Sequence, residues 1–183
     1  LKQQLPKLIL KKLHLPVREP KIVEWEKLVK KIKSPKQKTA EIVIVGKYFG
    51  TGEYQLKDSY AALFDAIDHA AWEKGVDVTT RWVDAEKIEK EGAKKIIGKP
   101  DGIIVPIGWG KRGAEGMIEA ASYARKMKIP YLGLCFGMQL ASVAFARDML
   151  GWKDANTEEN DPKASHKVIH VLEAQKVLSK KRA

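Results

Sequence analysis

Apolar positions fall in two alternating textures from residue 41 onward. EIVIVG (41–46), GIIVPI (102–107) and IPYLGL (129–134) are short, nearly unbroken apolar runs, the pattern of strands buried on both faces. VDVTTRWV (76–83) alternates and predicts a further strand, and HKVIHVL (166–172) a last one. Between these runs the apolar spacing becomes helical. In 57–74, Tyr60, Leu63, Phe64, Ile67, Ala70 and Ala71 share one face ahead of a stop at Gly75. Residues 84–97 predict a polar helix broken near Gly92, 114–127 a helix, and 137–150 a helix ended by Gly151. Strands alternating with helices predict an α/β fold, a mostly parallel sheet with helices on both faces. Sites in such sheets lie at the carboxyl ends of the strands.

Residues 1–39 have a different texture. Pro6, Pro16, Pro20 and Pro35 interrupt them, and IVEWEKLVKKIK (22–33) places Ile22, Trp25, Leu28, Val29 and Ile32 at helical spacing. The expected organisation is a basic linker with one short amphipathic helix over 1–39, then a globular domain over 40–183.

Charge changes the picture less than its total suggests. The net charge is +11, but residues 1–40 hold 12 Lys/Arg against 3 Asp/Glu, leaving 22 against 20 for residues 41–183. The globular part is nearly balanced, and the basic stretch has one aromatic residue, Trp25, and no nucleic-acid motif. It reads as a solvated linker, so no nucleic-acid partner is expected. No apolar run approaches the roughly 18 residues a membrane helix needs, so no membrane partner is expected either. A single cysteine excludes an internal disulfide and suits a reducing, cytoplasmic setting.

That cysteine sits where a strand gives way to a helix. Gly133-Leu134-Cys135-Phe136-Gly137 has the G-x-nucleophile-x-G form of a nucleophile elbow. The turn needs strained backbone angles at the nucleophile and glycines where neighbouring backbone comes close. It aims a helix N-terminus at the thiol, favouring the thiolate, and offers the Phe136 N–H to a developing oxyanion. A buried structural cysteine is the plain alternative. A second glycine bend, Ile107-Gly108-Trp109-Gly110-Lys111-Arg112-Gly113, follows the second buried strand and contains G-x-G-x-x-G. A dinucleotide site would need an acidic residue at the end of the next strand. That strand ends at Cys135, with no Asp or Glu between Glu119 and Asp148. A second oxyanion donor explains the bend better.

The segments VPIGWGKRGAEGMI (105–118), LGLCFGMQLA (132–141) and DANTEENDP (154–162), in that order, resemble the glutaminase domain of the CTP synthases, a branch of the class I (triad) glutamine amidotransferases. REPKIVEWEKLVKKIKSP resembles the segment that joins their synthetase and glutaminase domains. The resemblance implies the flavodoxin-like architecture of that class. It implies hydrolysis of L-glutamine through a cysteine thioester, with the ammonia used by an N-terminal synthetase domain to turn UTP into CTP. Cys135 matches the nucleophile, and the Phe136 and Gly108 N–H groups match the oxyanion donors. Gly108, Gln139 and Glu159 match substrate-binding positions. Arg112 and Glu115 match the segment linked to activation by GTP, where a surface ion pair at (i, i+3) is the plain alternative. ATP and Mg2+ belong to the synthetase domain, and no metal or cofactor is expected on this chain. The parent enzyme is expected to be a homo-oligomer.

Three departures shape the expectation. The family's activating histidine and glutamate lie in an H-P-E motif, and none of His14, His69, His166 and His170 stands in such a sequence. Catalytic His and Glu are therefore not assigned. The chain begins with Leu, and truncation before the catalytic segment, with late strands missing and activity deficient, is the simplest account. Ile107 replaces a glycine, which would strain the bend if a positive φ is needed there. Asn160 replaces an aromatic residue beside Glu159. Two other readings remain: a non-catalytic glutaminase-like regulatory or binding module, and a different cysteine hydrolase using an unidentified base.

Overall fold

Local apolar pattern becomes architecture in two compact units, 1–37 and 38–183. The computed structural model describes residues 3–19, 21–36, 38–47, 50–51, 54–55 and 58–172. The first unit holds helices α1 (Leu5–Lys12) and α2 (Val23–Lys33), neither with a buried residue. Sequence spacing anticipates α2 but not α1. Pro6 in the first turn of α1 is the available signal, since the N–H it lacks would have no helical acceptor there. On the apolar stripe of α2, Trp25 is 68% exposed and Val29 44%, while Ile22, Leu28 and Ile32 are partly buried.

In the second unit, β1 (Lys38–Gly46) leads into a two-stranded antiparallel ribbon of β2 (Gly50–Thr51) and β3 (Tyr54–Gln55). A single 3-10 turn over Asp58–Tyr60 precedes α3 (Ala61–Lys74). The helix thus starts later than its apolar spacing suggests, and Lys57 lies outside the described residues. Then come β4 (Val76–Asp84), α4 (Ala85–Glu91), α5 (Ala93–Ile97), β5 (Gly102–Val105), α6 (Ala114–Met127), β6 (Tyr131–Gly133), α7 (Phe136–Met149), β7 (Asn156–Thr157) and β8 (Lys167–Ile169). The main sheet has the order β4-β1-β5-β6 with every pair parallel. β5 and β6 are shorter than their apolar runs. Pro106 and Pro130 carry no N–H for a ladder, so pairing stops beside them. β8 pairs with β7 in a separate two-stranded sheet rather than with the main one.

The two sheet faces are covered unequally. Val43, Val45, Val83, Ile103 and Val105 point to one face, where α4, α5, α6 and α7 bury them. Each fully buried Val or Ile contributes about 1.5–3 kcal/mol, so this face carries most of the driving force. On the other face, Ile44 packs with Tyr60, Leu63, Phe64, Ile67 and Trp82 under α3. Farther along that face Ile104 and Leu132 line an apolar cavity of about 370 Å3. Asp148 of α7 bonds Ser122 and pairs with Arg125 and Lys126 of α6, locking the two helices that flank the elbow. Burial raises the Asp148 pKa, but these partners outweigh it and hold the carboxyl at about 2.

Candidate active site

Cys135 stands between β6 and α7, exposed, with φ 53° and ψ −103°. An L-residue adopts these angles only under strain, as the elbow pattern requires. The glycines on either side explain why the turn closes. A Cβ on Gly137 would lie 2.0 Å from the Val105 carbonyl oxygen, and one on Gly133 would lie 2.6 Å from the Met138 nitrogen. The Leu134 N–H donates to the Val105 carbonyl at 2.9 Å, and the Tyr131 hydroxyl donates to the Gly137 carbonyl at 2.9 Å, so the turn is pinned to β5. Phe136 is the first residue of α7, so its N–H has no intrahelical acceptor and faces the same end as the thiol.

The glycine bend after β5 comes to meet this elbow. Gly108 is buried, and a Cβ there would touch the Phe136 ring at 3.5 Å. Positive φ falls on Gly110 (76°) and Gly113 (68°), and Ile107 is not among the residues with positive φ. The condition for strain at Ile107 is therefore not met. Its carbonyl is instead held by the Tyr60 hydroxyl at 3.1 Å. The bend has an anchor that no motif announced. Lys47, just past β1 and 4% exposed, donates from Nζ to the carbonyl oxygens of Trp109 (2.9 Å) and Gly110 (2.5 Å). The same Nζ lies 4.4 Å from the centre of the Phe136 ring. Burial lowers the Lys47 pKa, and the Glu159 carboxylate offsets this only in part.

Glu159 reaches this bend from the segment between α7 and β8, where its Oε1 accepts the Gly110 N–H at 2.9 Å. Gln139 sits on α7 one turn past the elbow, its N–H bonded to the Cys135 carbonyl at 3.1 Å. Arg112 and Glu115 do not pair with each other, contrary to the (i, i+3) expectation. Arg112 donates to the Lys47 carbonyl at 2.6 Å and pairs with Glu86 at 3.2 Å, while Glu115 takes a two-pronged pair from Arg147. Cys135, Phe136, Gly108 and Glu159 thus converge through two bends, with Gln139 on the adjoining turn of α7.

No histidine joins them among the described contacts. His69 packs on Trp72, His166 bonds Asp154 at 2.6 Å and stacks on Trp152, and His170 lies 3.6 Å from Glu158. The His166 bond is the main cause holding the Asp154 carboxyl at about 2. Among the described residues no group of three His, Cys, Asp or Glu side chains is arranged to hold a metal ion.

Asn160, next to Glu159, is 4% exposed, and neither polar atom of its side chain has a hydrogen-bond partner. A buried, unpaired amide costs about 1–3 kcal/mol. Asn160→Leu is therefore expected to raise stability by about 1–2 kcal/mol in urea unfolding. A loss of stability would mean that the amide is used.

The chain matches the family Glutamine amidotransferase class-I over residues 55–182. It is 46% identical over 169 residues to a CTP synthase of Carboxydothermus hydrogenoformans, a match covering 92% of this chain and 30% of that protein. It is also 46% identical over 179 residues to a CTP synthase of Pyrococcus abyssi, covering 98% and 32%. Among solved structures, the glutaminase domain of the Trypanosoma brucei CTPS with bound acivicin aligns with a TM-score of 0.66 at 34% identity, covering 74% of this chain and 51% of that one. The chain therefore spans less than a third of the length of these curated relatives.

Proposed function

The chain belongs to the class-I glutamine amidotransferases, and on that premise we propose that it is the glutaminase part of a CTP synthase. One observation carries the reading. An exposed cysteine at strained angles caps a helix N-terminus and faces a glycine bend to which a carboxylate is tied.

The thiolate of Cys135 adds to the side-chain amide carbon of glutamine, and the electrons of the C=O bond move to its oxygen. The N–H groups of Phe136 and Gly108 hold that oxyanion, where each well-placed donor is worth about 10²–10³ in rate. The C–N bond then breaks, and the nitrogen takes a proton and leaves as ammonia. Water adds to the thioester carbon, the thiolate leaves, and glutamate is released. Glu159 holds the substrate's α-ammonium, and Gln139 borders the same pocket. The ammonia goes to an N-terminal synthetase domain, which uses ATP and Mg2+ to convert UTP to CTP in the cytoplasm, as part of a homo-oligomer. GTP, the activator implied by the resemblance, acts through the segment of Arg112 and Glu115. A polyphosphate drawn to the Arg112 guanidinium would pull on the Lys47 carbonyl it anchors.

Amide cleavage needs a proton delivered to nitrogen, and no histidine has Cys135 as a partner among the described residues. We infer that residues 1–183 alone turn glutamine over poorly. A chloromethyl ketone analogue of glutamine removes that requirement, because the thiolate displaces chloride and no proton is needed. The expected result is one adduct, on Cys135, with protection by L-glutamine and not by L-asparagine. If a folded sample takes iodoacetamide at Cys135 but refuses the chloroketone, the glutaminase reading fails and a non-catalytic module takes its place.

A further inference from the structure

We propose that Lys47 is a positioning residue that clamps the Trp109–Gly110 peptide unit, and thereby sets both the oxyanion bend and the Glu159 carboxylate. The inference rests on the glutaminase reading and deepens it. A trans peptide points its C=O and N–H in opposite directions. Here the oxygen end of the 109–110 unit receives the Lys47 ammonium at 2.9 Å, and the hydrogen end donates to Glu159 Oε1 at 2.9 Å. One peptide dipole therefore lies between a cation and an anion, each at the end of opposite partial charge. The next peptide is held the same way at its oxygen, 2.5 Å from Nζ. Gly110, at φ 76°, supplies the backbone freedom that lets two consecutive carbonyls turn to one ammonium.

Burial explains why the clamp is tight. A lysine that is only 4% exposed directs its ammonium to protein acceptors. Its acceptors here are two carbonyls of the bend, and it also lies over the face of Phe136, 4.4 Å from the ring centre. Phe136 carries the other oxyanion donor, and its ring touches the Gly108 position. A single side chain thus sets the distance between the two bends. Arg112 secures the clamp from behind by donating to the Lys47 carbonyl at 2.6 Å. Without the ammonium, the oxygen end of the 109–110 peptide loses this anchor and the unit is freer to rotate. That rotation withdraws the N–H from Glu159 and shifts Gly108.

The test compares two electrophiles on the same thiol in the full chain. The chloroketone analogue needs both the oxyanion donors and the ammonium site, whereas iodoacetamide needs only the thiolate. Lys47→Met is expected to lower the second-order rate of chloroketone labelling by about 10- to 100-fold, less than or equal to loss of one oxyanion donor. Iodoacetamide alkylation should stay within about twofold of wild type. Lys47→Arg keeps the charge but replaces a compact ammonium by a planar fork, and should lose about 3- to 10-fold. It carries the test if Lys47→Met fails to fold. A wild-type chloroketone rate in the variants overturns the clamp. A proportional loss toward both electrophiles also overturns it, since it marks a general structural role. A wild-type chain that takes iodoacetamide and refuses the chloroketone overturns the glutaminase reading instead, and the clamp falls with it.

Discussion

Gly137→Ala is expected to destabilise the chain by more than about 3 kcal/mol, at or beyond the upper end of overpacking costs. The added Cβ would stand 2.0 Å from the Val105 carbonyl oxygen, 2.7 Å from its carbonyl carbon and 3.0 Å from its Cβ. These are backbone or β-carbon atoms of a central strand, so no rotamer change relieves the overlap. α7 must move away from β5, and that motion strips Phe136, Leu140 and Val143 from the core they fill. Total stability of a domain this size is about 5–15 kcal/mol, so the loss is a large part of it. Urea unfolding with Ser142→Ala as control, a partly exposed position on the same helix, measures the difference. The control should stay within about 0.5 kcal/mol of wild type. A Gly137→Ala chain within about 1 kcal/mol of wild type would show that α7 does not press on β5 as described.

The elbow was legible because its physics is local. Five residues specify a strand, a turn and a helix start, and their glycines mark the two close approaches. Buried strands and amphipathic helices were legible for the same reason, with periods set within a few residues. What escaped the sequence was what spans it. Lys47 meets the carbonyls of Trp109 and Gly110 across more than 60 residues; its place just past a buried strand was a signal of position but named no partner. The Arg112 and Glu115 partners failed likewise. Sequence spacing offers each the other, but the fold brings up Glu86 and Arg147, and these win. The strain at Ile107 stayed conditional because a linear sequence does not show which residue of a bend carries the positive φ. It falls on Gly110 and Gly113, and Ile107 is left with ordinary geometry.

Replacing Cys135 by glycine should stabilise the chain while abolishing its thiol chemistry. At φ 53° and ψ −103°, the cysteine sits where a Cβ clashes with its own backbone, at a cost of order 1–3 kcal/mol. Glycine adopts these angles without that penalty, though its freer unfolded chain takes back about 0.5–1 kcal/mol. The side chain is exposed, so little packing is lost with it. The expected net gain is about 1 kcal/mol, seen as a higher melting temperature. Cys135→Ala separates the two effects, because it removes the thiol and keeps the Cβ. It should melt with the wild type and, like Cys135→Gly, take neither chloroketone nor iodoacetamide. If Cys135→Gly melts no higher than Cys135→Ala, the elbow is not strained, and the exposed thiol owes its presentation to the helix end alone. If it melts higher, the fold is holding a nucleophile in a conformation it would otherwise relax, and that is difficult to explain for a cysteine with a merely structural role.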